Sequence, residues 1–271
     1  MEVTDAALEI VDLLGRRWEI LMCLVEEPCD KRTLIDELDI PRSTLDRAVR
    51  ELEAVELLTY TEGEYAVTSK GEYLVYSFST FLERTEQTLE LESFLQWMSI
   101  DEFSLDLRHL EDSKLFLPES HDPYAMVNQH VKALEKANTF RGLLPVVGLH
   151  AFEMGYEQVV ERGARHEVIT EPGVIETLQS DESYTSMYQE LHKIDRFDVF
   201  VYEGSIPYFV GVFDDETVQI GVDEGGEPRA LLETDCPEIR TWAHETIDEY
   251  EQQATRVFPN ALQSVQPTNG V

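Results

Sequence analysis

The segment from Arg42 to Leu52 constrains this chain more than any other. Leu45, Ala48, Val49 and Leu52 recur at i, i+3, i+4 and i+7, the spacing of one apolar stripe on an α-helix. That rotation turns Ser43, Thr44, Arg47 and Arg50 to the opposite side. Helical segments surround it. Thr4 is a suitable N-cap for a helix reaching Leu14, and Gly15 is expected to break it. Trp18, Leu21, Met22 and Val25 continue a second periodic run to Pro28. Asp30 caps a short helix carrying Leu34, Ile35 and Leu38, and Asp39-Ile40-Pro41 makes the turn into the Arg42 helix.

Two short strand-like runs follow, Leu57–Thr61 and Glu64–Val67, separated by the tight-turn pair Glu62-Gly63. Helix, short helix, turn, helix and hairpin is the order of a winged helix-turn-helix. In that fold the second helix of the pair stands proud enough to enter a DNA major groove, and the hairpin lies beside it. The groups expected to face DNA are Arg42, Ser43, Thr44, Arg47 and Arg50, with Lys31 and Arg32 at flanking phosphates, as are Arg16 and Arg17. Arginine can hold guanine O6 and N7 with two hydrogen bonds, and short hydroxyls reach phosphates or base edges. The competing reading is a solvated helix face laced by ion pairs such as Asp46 to Arg50.

Charge bears directly on that choice. The chain carries 55 acidic and 21 basic side chains, a formal net charge of −34, and only six of the basic residues are lysine. Phosphates repel such a polyanion at low salt. In molar salt the Debye length falls to about 3 Å, so remote charges are screened and close contacts decide binding. An acidic surface is therefore read as an adaptation to concentrated cytoplasmic salt. Its rivals are a merely acidic protein, a DNA mimic and a binder of basic partners.

The rest of the chain reads as α/β. A helical stretch rich in Leu and Phe runs to about Met98, and Tyr124–Asn138 forms another helix after His121-Asp122-Pro123. Strands are expected at Arg141–Val147 and Glu167–Thr170, and at Phe197–Tyr202, Tyr208–Val212, Val218–Val222 and Ala230–Leu232. Helices are expected near Leu149–Arg162, Val174–Leu178, Glu182–Lys193 and Pro237–Val257. Alternation early and a run of strands late implies a mixed sheet. The expected organisation is a DNA-binding domain over 1–72, a linker or dimerisation helix over 73–100, an α/β sensor domain over 101–262 and a loose tail over 263–271.

Cys23, Cys29 and Cys236 are too few for a disulfide framework, and their spacing matches no trusted metal-ligand pattern, so no metal or cofactor is expected. Cys23 is read as a small buried hydrophobe. No apolar run approaches the ~20 residues that span a bilayer, and the acidic N-terminus is unlike a signal peptide; a cytoplasmic location follows.

On Pro41-Arg42-Ser43-Thr44-Leu45-Asp46-Arg47 with Glu51-Leu52-Glu53, and on His121-Asp122-Pro123-Tyr124, the chain resembles a known group. Phe140-Arg141-Gly142-Leu143-Leu144-Pro145-Val146 and Ala230-Leu231-Leu232-Glu233-Thr234-Asp235 extend the likeness over nearly the whole chain. The group is the archaeal, haloarchaeal-type winged-helix regulators with a methanogenesis-regulatory (Fil-type) C-terminal domain, relatives of the TrmB-like sugar-sensing regulators. The resemblance implies a transcription regulator whose C-terminal domain has a phospholipase-D-like α/β fold used for sensing. Two departures stand out: Glu56 occupies a turn position usually held by glycine, and the wing tip Glu62-Gly63-Glu64 is acidic.

Ligands of open α/β sheets sit at the carboxyl ends of parallel strands. That rule nominates Gly148 and His150, Thr170 and Glu171, and Tyr202 and Glu203, with Arg141 as an anion partner. The apolar run Tyr73, Tyr76, Phe78, Phe81, Leu82, Leu89, Leu91, Phe94, Leu95 and Trp97 is read as a helix pairing two subunits, or as one buried against the sensor domain of its own chain. Catalysis is not expected. His130-Val131-Lys132 resembles the start of a phospholipase-D motif, but Ala137 stands where its aspartate belongs. The function expected is a homodimeric, promoter-binding regulator with a small-molecule effector and no membrane association. A winged-helix protein adaptor without DNA binding is the alternative.

Overall fold

The computed structural model describes residues 3–98 and 105–257. The chain divides into two compact units, residues 1–86 and 87–271. The anticipated tail over 263–271 lies outside the described residues.

The first unit contains α1 (Asp5–Arg16), α2 (Trp18–Glu26), α3 (Lys31–Leu38), α4 (Arg42–Ala54), a two-stranded ribbon of β1 (Leu58–Thr61) and β2 (Glu64–Val67), and the start of α5 (Ser69–Glu90). Local chemistry sets its boundaries. The Asp30 carboxylate accepts from the Arg32 and Thr33 amides at 3.0 and 2.9 Å, satisfying two orphan donors of α3. Asp39 then takes a left-handed conformation that stops α3 and releases the chain into Pro41. Glu62 and Gly63 both have positive φ, as a two-residue hairpin turn requires, and Thr61 faces Glu64 across it. The fold at the start of α5 depends on Gly71, where any side chain would strike the Leu57 carbonyl.

The core of this unit collects Leu21, Leu34, Leu45, Ala48, Leu52 and Leu57, all fully buried. Three expectations change. Gly15 does not break α1, because a glycine inside a helix costs only about 1 kcal/mol; the break falls at Arg17. Cys23 is half-buried rather than enclosed, and its thiol donates to Glu37 at 2.9 Å. The helical stretch expected to reach about Met98 is interrupted at Leu91, which joins α5 to α6 (Glu92–Leu95).

The second unit is built on one eight-stranded sheet. Its strands are β3 (Lys114–Phe116), β4 (Thr139–Leu144), β5 (Arg165–Thr170), β6 (Phe197–Val201), β7 (Phe209–Phe213), β8 (Thr217–Glu224), β9 (Glu227–Thr234) and β10 (Thr255–Arg256). The order is β10-β6-β5-β4-β7-β8-β9-β3, with β4, β5 and β6 parallel and the remaining pairs antiparallel. The mixed sheet read from the sequence is therefore present. Helices α7 (Ala125–Lys136), α8 (Leu149–Val160), α9 (Pro172–Ser180) and α10 (Glu182–Leu191) connect its first half, and α11 (Pro237–Glu251) follows β9.

Pleat alternation splits the core. Leu143, Ile169, Val210 and Ile220 pack with Ile239, Ala243 and Ile247 of α11 on one face. Phe140 and Phe213 pack with Leu134 of α7 on the other. Strand β4 begins two residues earlier than expected. Asp214, itself left-handed, accepts from the Asn138 and Thr139 amides at 2.8 Å each and pins the strand's start, and Pro145 ends it. Edge strand β3 is an addition to the sequence reading, and the helix expected over Pro237–Val257 ends at Glu251, with the edge strand β10 taking Thr255–Arg256. No helix among the described residues is long and apolar enough to cross a membrane.

The turn after α4 yields a test. Glu56 sits at φ 59°, a region costing a residue with a Cβ about 1 kcal/mol. Its exposed contact with Lys70 at 3.6 Å contributes little. Glu56→Gly is expected to raise the unfolding free energy by about 1 kcal/mol, read from the denaturant midpoint. A midpoint that falls would mean that the turn is not strained.

Candidate nucleic-acid interface and internal cavities

Helix α4 presents its two sides as the spacing predicts. Leu45, Ala48, Val49 and Leu52 are all at most 1% exposed, and Arg42, Ser43, Thr44, Arg47 and Arg50 are exposed. The side chains of Arg42 and Arg47 are 81% and 75% accessible. Glu51 braces this surface: it accepts from Arg17 at 2.8 Å and from Arg47 Nε at 2.8 Å, and Arg16 lies 3.5 Å away. The Arg17 hydrogen bonds, followed by that of Arg47, hold the Glu51 carboxyl down at about 2, so it stays ionised under all ordinary conditions.

The ion pairing differs from the expected Asp46–Arg50 contact. Asp46 instead takes Lys31 Nζ of α3 at 2.6 Å, and Arg42 stands at 4.0 Å. Lys31 is thereby drawn into a bond between the two helices, and it also lies 5.6 Å from the centre of the Tyr65 ring. Arg32 remains an exposed side chain, 3.9 Å from Asp36. The tip of the β1–β2 hairpin carries Glu62 and Glu64, both exposed.

In the second unit most of the nominated ligand residues are held apart or engaged elsewhere. Arg141 is not an anion receptor: its guanidinium is held by Glu167 of β5 and by Asp248 and Glu251 of α11, and only 22% of the side chain is accessible. Three carboxylates already surround it, which leaves no charge to offer a ligand. Glu171 accepts from the Ile206 amide at 2.6 Å and ties down the segment after β6. Tyr202 stacks edge-on against Tyr250, 4.8 Å between centroids, on the α11 face. His150 is exposed at the first turn of α8. Of the nominated residues, Gly148 and Thr170 line a cavity.

That cavity, about 110 Å³, lies between the sheet and helices α7 and α8. His130, Gly155, Tyr156, His166 and Thr170 interrupt an otherwise apolar lining. A second space of about 110 Å³ shares His130, Val146 and Phe209 with it. His130 stands among Phe140, Phe209 and Phe213, with centroid distances of 6.1, 4.9 and 5.8 Å. Its Nδ1 lies 3.0 Å from Gln219 Oε1. His166 is 3% exposed, and its Nε2 is a buried atom without a hydrogen-bond partner. Burial, and then the proximity of His130, pushes the His166 imidazole down to about 4; burial also lowers His130.

Of these residues the sequence reading nominated Thr170 for a ligand and weighed His130 only against a catalytic motif; His166, Gly155 and Tyr156 were not singled out, although signals existed. Met126, His130 and Leu134 fall at i, i+4 and i+8, which places a histidine in the apolar stripe of α7. His166, Val168 and Thr170 alternate onto one face of β5. Elsewhere, His109, Cys236 and Glu238 bring ligand-type atoms within 4.8 Å of one another. The Cys236 thiol donates to Glu238 at 3.1 Å, so the group is closed by its own hydrogen bond.

Comparison with known proteins adds two segment matches. Residues 123–253 match the family model of the middle domain of methanogenesis regulatory protein FilR1. Residues 7–90 match the model described as the HVO_A0261 N-terminal domain. No curated protein matches. Among solved structures, an archaeal chromatin protein, TrmBL2, described as showing a novel mode of DNA binding, is 14% identical with a TM-score of 0.41, over 92% of this chain and 99% of that one. NucT from Helicobacter pylori is 16% identical with a TM-score of 0.44, and a phospholipase D family member, Nuc from Salmonella typhimurium, is 12% identical with a TM-score of 0.42. Each of these two covers 54% of this chain and 99% of its own.

The buried imidazoles make stability pH-dependent. Above about 6.5 His166 is neutral both folded and unfolded and contributes no slope. Between 6.5 and about 4 only the unfolded chain takes up its proton, so stability falls as pH falls, by roughly 3 kcal/mol across the window. His130 and His192, also lowered by burial, act in the same direction. His166→Phe is expected to flatten the decline between pH 6.5 and 4 in denaturant titrations; an unaltered slope would show that His166 is not held neutral.

Proposed function

We propose that this chain is a DNA-binding transcription regulator of the archaeal TrmB-like kind, in which α4 reads a major groove and the second unit senses a small molecule. The observation that carries the reading is the outward row Arg42, Ser43, Thr44, Arg47 and Arg50 above a wholly buried stripe. The match of residues 123–253 to the middle domain of a methanogenesis regulatory protein supports it. Arg47 and Arg50 serve as base or phosphate contacts, and Ser43 and Thr44 meet the backbone at the helix start. Arg32 approaches a flanking phosphate, and Lys31 does so only by leaving Asp46. No catalytic step belongs to this reading.

The protein acts as a homodimer in a salt-rich archaeal cytoplasm. Tyr73, Tyr76, Phe81 and Leu89 leave α5 with large exposed apolar side chains, which a second copy would cover. Two-fold pairing also matches the two half-sites that such heads read. The acidic wing favours a second reading, an adaptor that uses the winged helix for protein contacts.

Chromatin occupancy measured in cells, followed by mobility shifts at molar potassium salt, separates the two. Discrete promoter peaks support the regulator, and their absence supports the adaptor. On a mapped operator, Arg47→Ala is expected to weaken binding at least tenfold, one base or phosphate contact being worth ~1–3 kcal/mol. Unchanged affinity would remove α4 from the groove.

A further inference from the structure

Three of the cavity-lining polar groups, Thr170, Tyr156 and His130, have already committed their protons, while the neutral His166 ring keeps one N–H and has its Nε2 unpartnered. Thr170 Oγ1 donates to the Leu144 carbonyl at 2.6 Å. The Tyr156 hydroxyl donates to the Glu190 carboxylate at 2.7 Å, since a carboxylate only accepts. His130 follows by the same logic through two more links. Glu233 Oε2 accepts from both Gln129 and Gln219 amide nitrogens, at 2.8 Å each. That turns the Gln219 oxygen toward His130, so His130 Nδ1 carries the proton and its Nε2 is left as an acceptor. His130 lines both cavities. Asp223, in the second space, is a further acceptor and receives the Gly226 amide at 2.8 Å. Neither lining includes a lysine or arginine.

We infer that the paired cavities bind a small, neutral, ring-bearing molecule that donates one hydrogen bond, of the phenol or indole type, to His130 Nε2. The inference rests on the sensing role given to this unit above and supplies its ligand class. An apolar body suits the lining. Apolar cavities of comparable size stay dry and take up a benzene ring. At His130 a donor is required, because the fixed tautomer leaves only a lone pair there. An anion is refused, because it would be desolvated with no cation to meet it. Gly155, on α8, keeps the space open: a Cβ there would lie 3.5 Å from the His166 ring.

The probes are p-cresol, p-xylene and 4-methylbenzoate, equal in ring and differing in one substituent. Calorimetric titration of the full chain in molar potassium chloride is expected to show p-cresol binding at least ten times more tightly than p-xylene, with no heat from 4-methylbenzoate. His130→Phe should erase the tenfold preference while still admitting p-xylene, and Gly155→Leu, which fills the space from the helix side, should abolish both. Equal binding of the two neutral probes by the unaltered protein, binding of the carboxylate, or no binding of any probe would overturn the assignment. If His130→Phe does not fold, the Gly155→Leu result and the probe series decide it. Operator affinity with and without p-cresol is a separate readout: bound cresol that leaves DNA affinity unchanged keeps the site and removes its sensing role.

Discussion

Burial of Leu45, Val49 and Leu52 fixes the rotation of α4, and the outward direction of its arginines follows from it. Each of these side chains is fully enclosed, and full burial of a Leu or Val contributes roughly 1.5–3 kcal/mol. The solvent-screened ion pairs of the same helix, such as Arg47 with Glu51, contribute far less. A rotation of one residue would give up several of the first to gain at most a few of the second. The basic face is thus held by the core behind it, and Glu51 refines the result. By taking Arg17 and Arg47 on its two oxygens, it ties the turn after α1 to α4.

The same local geometry reconciles a basic helix with an acidic chain. At low salt the net charge of −34 opposes approach to phosphate. At molar salt, interactions beyond about 3 Å are screened, and what remains are the arginines that touch. Two acidic groups stand beside the row: Glu51, shared between Arg17 and Arg47, and Asp46, neutralised by Lys31 at 2.6 Å. The acidic hairpin tip leaves the burden of any contact on α4 and on Arg32 and Arg16 beside it.

Legibility followed interaction range. The α4 stripe, the Asp30 cap and the Glu62-Gly63 turn were readable because each depends on residues within one or two turns of chain. The left-handed Glu56 was readable for the same reason. Strands β3 and β10 were not, because a two- or three-residue edge has too few positions to show alternation and exists only by pairing with β9 and β6. Arg141 was misjudged as an anion receptor because its partners Asp248 and Glu251 lie more than a hundred residues away. A rule that places ligands at strand ends also drew attention from the face of the sheet, where β4 and β5 meet α7 and α8.

That face shows how a frame can set the chemistry of the space it encloses. Thr170 spends its proton on the β4 carbonyl that precedes Pro145, and Tyr156 spends its own on α10. Gln219, wholly buried in β8, is oriented by a carboxylate on β9 and in turn orients an imidazole on α7. Each bond joins one element to another, and each removes a donor from the cavity wall. Replacing Gln219 by a residue without an amide oxygen would free the His130 tautomer and let its Nε2 offer an N–H. The polarity of the cavity is therefore a property of the sheet's cross-links, inherited by whatever fills the space.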